Sequence, residues 1–373
     1  MSNNTPTTTD IQTIGIIGAG TMGSGIATAA AAHGSAVLLF DRADAQIAAA
    51  RDAASTFFAR QADKGRMTTP EAERAAGRLQ RAETLADLAP CDLVIEAVFE
   101  DFDLKARLFD ELSPLLSPDT LIATNTSCLR VDDLARHVQR AERFLGLHFF
   151  SPASINPVVE VVRGAVSDPA AVDRAEAWCR AIGKRPIRCK DSYGFAINRF
   201  FCPYTNEAAR LLDEGLGDTA TIDRAAEAAF GVAMGPFAVQ NIIKPRINLH
   251  AIQNLGPLGD FYQPAKSMVA QGEADQPWVI EGEPPPADAV PPVLVDRLRA
   301  AVFFTVLELL DEDVADPADI DDGARLALRF SKPPCALMDE LGKAQVAALV
   351  QPLFAKYGED VPASLDRVGT LVA

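Results

Sequence analysis

The glycine-rich segment Gly18-Ala-Gly20-Thr21-Met22-Gly23 constrains this chain more than any other feature, because it follows a short apolar β-type run and opens an Ala-rich helical stretch. In such a strand–turn–helix, the first glycine allows the tight turn and the second lets the backbone approach a pyrophosphate. The third lets the helix pack closely, with its N-terminus facing the phosphates. We predict a dinucleotide-binding turn in which these glycines, Thr21 and Met22 contact the cofactor. A glycine-rich turn without a ligand is the alternative.

An acidic residue, Asp41, ends the next predicted strand, 18 residues beyond Gly23. Its carboxylate is placed to accept the adenosine ribose hydroxyls and to repel a 2′-phosphate. This favours NAD over NADP as the cofactor. The neighbouring Arg42 weakens the preference, since an arginine at this point can hold a phosphate.

Short apolar runs alternate with amphipathic helical stretches from residue 12 to about residue 190. This alternation predicts an open parallel sheet wound with helices, which is an α/β Rossmann-type NAD-binding domain at 11–190. The predicted buried parallel strands are 14–17, 36–40, 92–96 and 121–124, and the apolar runs 144–147 and 158–162 extend the sheet. After Gly194 the β-type runs stop, and helical periodicity continues to the C-terminus.

The composition restricts the function classes. A formal net charge of −16 argues against a nucleic-acid partner, because phosphate contacts need clustered Lys and Arg. The apolar stretches are far shorter than the ~20 residues of a membrane helix, and the polar residues 1–10 indicate a disordered tail rather than a targeting signal. We therefore expect a cytoplasmic protein without a membrane partner. The six cysteines and four histidines show no metal-site spacing, so no metal is expected.

An internal repeat organises the C-terminal half of the chain. The sequence Leu-Leu-Asp-Glu at 211–214 recurs at 309–312, and matching residues continue as far as Pro236 and Pro334 at a constant offset of 98. Two unrelated helix pairs would rarely agree so well. We therefore predict an all-α domain present as a tandem repeat. In the second copy, Arg329 replaces the glycine at the matching position of the first copy.

A Pro-rich acidic segment separates the two copies and cannot be a regular helix. We predict a first helical domain at 191–271, a linker at 272–292 and a second, diverged helical repeat at 293–373. The linker can span a fold-back, and tethering favours pairing within one chain over association between chains. The chain is therefore expected to be a monomer, with a homodimer as the alternative.

A histidine and a carboxylate stand twelve residues apart in two apolar runs. His148 ends one β-type run, and Glu160 lies inside the next. A buried carboxylate costs several kcal/mol unless it is partnered, and an imidazole paired with a carboxylate becomes an oriented base. The pair is therefore a candidate catalytic dyad. A core histidine and an unrelated strand-edge charge are the alternative.

The chain resembles the 3-hydroxyacyl-CoA dehydrogenase family over nearly its whole length. The stretches that carry the resemblance are 18–23, 95–100 (IEAVFE), 104–105 (LK), 125–127 (NTS), 146–150 (GLHFF), 159–162 (VEVV), 189–191 (CKD) and 194–199 (GFAINR). The resemblance implies NAD-dependent oxidation of a 3-hydroxyacyl-CoA to the 3-oxoacyl-CoA, as in the β-oxidation of fatty acids. It also implies roles for single residues.

The family positions assign the candidate site residues. The residues implied at the reacting centre are His148 as base, Glu160 as its orienting carboxylate, and Ser127 and Asn198 as hydrogen-bonding groups around the reacting oxygen. The residues implied at the cofactor, besides the glycine turn and Asp41, are Glu100, Lys105, Ser127 and Ser151. In this chemistry the C3 hydroxyl proton leaves to the histidine while hydride passes to the nicotinamide.

Three departures from the family pattern lie near the candidate catalytic residues. Ser151 stands where an Asn is common, Asn156-Pro157 replaces a usual Met-Lys pair, and Tyr193 replaces a Pro. They flank the catalytic residues, so we expect them to tune substrate selection and the acyl group to be unusual. The alternatives are a dehydrogenase for an acyl-carrier-protein thioester or a free 3-hydroxy acid, and a non-catalytic NAD-binding structural protein.

Overall fold

The computed structural model describes residues 9–372, which fall into two compact units divided between Asp191 and Ser192. Most of the tail predicted at 1–10 lies outside the described residues. Within residues 9–372, no helix combines the length and apolarity that crossing a membrane requires.

The first unit is built on one eight-stranded sheet. Its strands are β1 (Thr13–Ile17), β2 (Ala36–Phe40), β3 (Leu79–Arg81), β4 (Leu93–Glu96), β5 (Leu121–Thr124), β6 (Phe144–Phe149), β7 (Val158–Arg163) and β8 (Arg185–Lys190). They lie in the order β3-β2-β1-β4-β5-β6-β7-β8, and all neighbours are parallel except β6 and β7. The strand order reverses at β1, so the carboxyl ends of β1 and β4 border the crevice where such sheets bind ligands.

Within residues 9–191, six α-helices accompany the sheet. They are α1 (Thr21–Ala32), α2 (Asp44–Asp63), α3 (Thr69–Gly77), α4 (Phe102–Leu112), α5 (Val131–Ala135) and α6 (Pro169–Ala181). Strands β4 and β5 are buried at every residue, and strands covered on both faces read as continuous apolar runs. The Rossmann-type prediction is confirmed. Two strands that the sequence did not predict, β3 and β8, form the edges of the sheet.

The second unit is helical. Its helices are α7 (Ile197–Asp213), α8 (Thr219–Phe230), α9 (Pro236–Ile243), α10 (Pro245–Gln253), α11 (Lys266–Ala274), α12 (Pro292–Asp311), α13 (Pro317–Leu326), α14 (Pro334–Leu341) and α15 (Lys343–Tyr357). The predicted linker start at residue 272 is wrong, because α11 continues to Ala274. No proline interrupts α11, and it ends where Asp275 takes a left-handed φ of 52°.

The two helical copies share single backbone features. Lys244 and Gly342 lie 98 residues apart, and both have a positive φ, 94° and 80°, between the third and fourth helices of their copies. Asp223 accepts hydrogen bonds from two backbone N–H groups at the start of α9, and Asp321 accepts two in the same way at the start of α14. The tandem repeat is therefore present in the structure as well as in the sequence.

The first helices of the two copies, α7 and α12, pack against each other. Arg199 of the first copy binds Glu312 of the second, with Nη1 2.6 Å from Oε2. Arg297 of the second copy binds Glu214 of the first, with Nη1 2.9 Å from Oε2. Replacing each residue by its counterpart 98 positions away in the other copy converts one ion pair into the other. The contacts of an isologous two-fold interface are related in the same way.

Candidate active site

The three glycines of the turn after β1 have different local environments. Gly18 has a φ of 101°, and a Cβ added there would lie 2.5 Å from the carbonyl oxygen of Ala97. A Cβ added to Gly23 would lie 1.8 Å from the Gly18 carbonyl oxygen, so only glycine lets α1 pack this closely. Gly20 has no atom within 4 Å of the position a Cβ would take. Open space at the second glycine is what the close approach of a pyrophosphate requires.

Helix α1 begins at Thr21 without a side-chain cap, so its first backbone N–H groups keep their capacity to bind an anion. The half-buried Asp41 follows β2. Its Oδ2 accepts from the backbone N–H of Ala19 at 2.8 Å, and its Oδ1 accepts from that of Ala43 at 2.9 Å. Asp41 thus ties the glycine turn to the end of β2. These residues fit the phosphates and ribose of NAD.

The candidate dyad forms across β6 and β7. The antiparallel register sets His148 directly opposite Glu160, and Nδ1 of the ring lies 2.7 Å from Oε2 of the carboxylate. Both side chains are buried, with 8 % and 0 % of their surface exposed. A carboxylate only accepts, so Nδ1 carries the hydrogen of this bond. Nε2 is then the nitrogen that takes up or releases a proton.

A second buried carboxylate lies at the end of β4. Glu96 is fully buried, and its Oε1 lies 2.6 Å from Nζ of Lys105, which is 1 % exposed. The Thr124 hydroxyl donates to the other oxygen of Glu96 at 2.6 Å. The two carboxylates around Lys105 raise the pKa of its ammonium group despite its burial. Lys105 therefore holds the ends of β4 and α4 together from inside the unit.

Glu100 joins this network to the turn after β5. Its Oε2 lies 3.2 Å from Nζ of Lys105, and its Oε1 accepts from the Thr126 hydroxyl at 2.5 Å and from the Ser127 backbone N–H at 2.8 Å. Burial disfavours the charged form of Glu100. The charge of Lys105 and these hydrogen bonds outweigh burial and hold the pKa of Glu100 below its ordinary value. Glu100 is thus an anion that orients the Ser127 turn.

The candidate residues divide between the two units. The first unit contains the glycine turn, Asp41, Glu100, Lys105, Ser127, the dyad, Ser151 and Pro157. Ser151 and Pro157 bracket the connection between β6 and β7. Asn198, the second residue of α7, and Tyr193, in the turn before it, belong to the second unit. No group of three His, Cys, Asp or Glu side chains suited to a metal ion occurs in residues 9–372.

Sequence reasoning missed the Glu96 ion pair and the role of Asn125. The Asn125 side-chain oxygen accepts from the backbone N–H of Phe149 at 2.9 Å, which fixes the end of β6 beside His148. The signal for Glu96 was present, because it is a carboxylate inside an apolar strand in the same way as Glu160. For its partner Lys105, the family resemblance implies only a role at the cofactor.

Comparison with protein families matches nearly the whole chain. Residues 13–192 match the model of the 3-hydroxyacyl-CoA dehydrogenase NAD binding domain. Residues 194–277 and again 294–371 match the model of the 3-hydroxyacyl-CoA dehydrogenase C-terminal domain. The duplicated helical domain is therefore also found by comparison.

Individual relatives agree with the family models. A 3-hydroxybutyryl-CoA dehydrogenase of Mycobacterium tuberculosis is 38 % identical over 62 % of this chain and 82 % of its own length. A 3-hydroxyadipyl-CoA dehydrogenase of Escherichia coli is 37 % identical over 64 % of this chain and 50 % of its own length. The crystal structure of an E. coli 3-hydroxybutyryl-CoA dehydrogenase covers 97 % of this chain and 99 % of its own, with a TM-score of 0.85 and 25 % identity.

Proposed function

Because this chain belongs to the 3-hydroxyacyl-CoA dehydrogenase family and is thus an NAD-dependent oxidoreductase, we propose that it oxidises the C3 hydroxyl of a 3-hydroxyacyl-CoA with His148 as general base. The observation that carries this proposal is the 2.7 Å contact between His148 and the buried Glu160. A general base needs a fixed tautomer and a nearby countercharge, and this contact supplies both.

The proposed mechanism follows from the dyad. Nε2 of His148 takes the proton of the C3 hydroxyl, and the imidazolium that forms is stabilised by Glu160. NAD would supply the acceptor for the hydride that leaves C3. In the reverse direction the imidazolium returns its proton to the oxygen at C3. Asn125 supports this geometry by holding the end of β6, because a base displaced by about 1 Å loses much of its rate advantage.

Cofactor binding is assigned to the carboxyl ends of β1, β2, β4 and β5. The α1 N-terminus and Gly20 would hold the pyrophosphate, and Asp41 the adenosine ribose. Glu100 and Ser127 are proposed to face the cofactor, with Lys105 acting through Glu100 because its own ammonium group is buried. Ser127 and Asn198 are proposed to hydrogen-bond around the reacting oxygen.

The acyl group is proposed to differ from that of ordinary family members. Ser151 and Pro157 replace common family residues on the connection that joins His148 to Glu160, and Tyr193 replaces a proline close to Asn198. The M. tuberculosis and E. coli relatives are named for short or dicarboxylic acyl-CoA substrates, which supports a CoA thioester as the substrate class. A carrier-protein thioester or a free 3-hydroxy acid is the second candidate.

A turnover assay tests the proposal directly. Purified protein is given NADH with a panel of 3-oxoacyl-CoA thioesters of different length and branching, the matching carrier-protein thioesters, and free 3-oxo acids. We expect NADH oxidation with CoA thioesters, lowered by roughly 10²–10⁴-fold in His148→Gln with little change in NADH affinity. A wild-type protein that binds NADH but turns over no member of the panel would favour the non-catalytic alternative. Full activity of His148→Gln would remove His148 as the base.

A further inference from the structure

The side chain of Arg199, directly after Asn198, is almost completely buried. Only 1 % of its surface is exposed, and its guanidinium group binds Glu312 through both nitrogens Nη1 and Nη2. Glu308, in the last turn of α12 and four residues before Glu312, lies 3.8 Å from the same group. Both carboxylates belong to the second helical copy. The first turn of α7 is therefore held by charges that the duplication supplies.

Arg199 also holds the segment that leads into α7. Its Nη1 donates to the Ser192 hydroxyl at 2.9 Å, and its backbone N–H donates to the Gly194 carbonyl oxygen at 3.2 Å. Within this turn, Gly194 has a φ of 74° and the fully buried Phe195 has a φ of 51°. A non-glycine residue in this region persists only when its surroundings hold it there.

The symmetry-related ion pair, between Arg297 and Glu214, does not adjoin a segment that contains candidate site residues. Arg297 binds Glu214, but it is 25 % exposed and lies inside α12, whose preceding segment is the Pro-rich linker. In both pairs the glutamate is partly exposed and the arginine has a second carboxylate nearby. Glu312 and Glu214 are 50 % and 40 % exposed, and Arg297 has a second carboxylate in Glu207, 2.5 Å away.

We propose that Glu312 is a positioning residue for the dehydrogenase reaction, which by binding Arg199 fixes the turn that contains Tyr193 and the start of α7 that contains Asn198. This inference rests on the proposed role of Asn198. It gives the second copy a part in catalysis although the candidate catalytic residues all precede it in the chain. Glu312 acts on the position of these side chains and does not itself contact substrate.

The matched variants Glu312→Gln and Glu214→Gln test the proposal. Each substitution removes one charge of a symmetry-related pair and leaves the arginine a second carboxylate, which lies 3.8 Å from Arg199 and 2.5 Å from Arg297. Glu312→Gln should therefore lower Tm more than Glu214→Gln, because Arg199 is almost completely buried. We expect Glu312→Gln to lower kcat by about tenfold, because a small displacement of an active-site group is costly. Glu214→Gln should keep the wild-type kcat. NADH affinity should be unchanged in both.

Two further measurements separate positioning from general stability. Hydrogen exchange of the amides at 192–198 should be faster in Glu312→Gln than in Glu214→Gln, and this measurement requires no turnover. In the background of Asn198→Ala, Glu312→Gln should cause no additional loss of kcat, because residues that act through one another are not additive.

The outcomes that overturn the proposal are distinct. Equal kcat losses in the two variants, or a tenfold loss that persists undiminished after Asn198→Ala, would show that Glu312 does not act through Asn198. Unchanged exchange at 192–198 in Glu312→Gln would show that the turn is not held by Glu312. If the wild-type protein turns over no thioester, the proposed function fails, and the exchange measurement still decides whether Glu312 fixes the turn.

Discussion

Replacement of Glu160 by Gln tests the charge of the candidate dyad while keeping its shape. The carboxylate touches the His148 ring at 2.7 Å and is fully buried. Two unit charges about 4 Å apart interact by about 4 kcal/mol at an effective dielectric constant of about 20, which corresponds to about three powers of ten in rate. The Gln oxygen still accepts from Nδ1 and retains part of this stabilisation. We therefore expect kcat to fall by about 10²- to 10³-fold.

The assay combines steady-state reduction of a 3-oxoacyl-CoA with NADH binding measured by fluorescence. NADH affinity should stay near the wild-type value, because the glycine turn and Asp41 are unchanged. The double variant His148→Gln/Glu160→Gln should be no slower than His148→Gln alone, since the carboxylate acts only through the imidazole. A folded Glu160→Gln protein with kcat within about threefold of wild type, or losses that simply multiply in the double variant, would refute the dyad.

Four further results are expected. Asp41→Ala should weaken NADH binding and narrow the preference for NADH over NADPH. A wild-type preference for NADPH in steady-state kinetics would contradict the assignment of Asp41 to the adenosine ribose. Lys105→Met should cost about 3–5 kcal/mol of unfolding free energy, because it leaves buried carboxylates unpaired. The folded-state pKa of Glu100 lies below its ordinary value of 4.5, so its stabilisation is present above that pH and is lost as the pH falls through the folded-state pKa. Thermal scans at decreasing pH should show this loss of stability in the wild type and much less of it in Lys105→Met. Equal losses of stability in the two proteins would be evidence against the ion pair between Lys105 and Glu100. Tyr193→Pro, alone or with Ser151→Asn, should raise activity on short linear 3-oxoacyl-CoA relative to other thioesters, and a uniform change across the panel would exclude a tuning role. Light scattering at micromolar concentration should give a monomer near 39.8 kDa, and a dimer joined through residues 198–272 of each chain would contradict the fold-back.

Most of the sheet was predictable because its central strands are short apolar runs. Strand β3 has three residues, of which only Leu79 is buried, and β8 contains Pro186 and alternates buried with charged side chains only from Ile187 to Lys190. Edge strands of this kind lack the continuous apolar pattern of buried parallel strands. The antiparallel direction of β7 follows from chain length, because the eight residues between β6 and β7 are too few for a parallel crossover.

The candidate site was partly predictable for a similar reason. A carboxylate inside an apolar strand signals a buried partner, and this reasoning identified the contact between His148 and Glu160. Glu96 has the same sequence context, but its partner Lys105 is nine residues away and on a helix. No local pattern connects Arg199 to Glu312, because 113 residues separate them and only the packing of α7 on α12 brings them together.

Because α7 and α12 belong to one polypeptide, their association is a first-order process. The same helices on two separate chains would associate in a second-order process. A homodimer held by the same helices would dissociate on dilution, and its melting temperature would depend on protein concentration. Here both copies unfold and refold with the chain that carries them, so the helical pair should persist at nanomolar concentration. Each copy is also free to change without preserving a symmetric partner, and Arg329, with a φ of 62° where the first copy has Gly231 at the same angle, shows that such change has occurred.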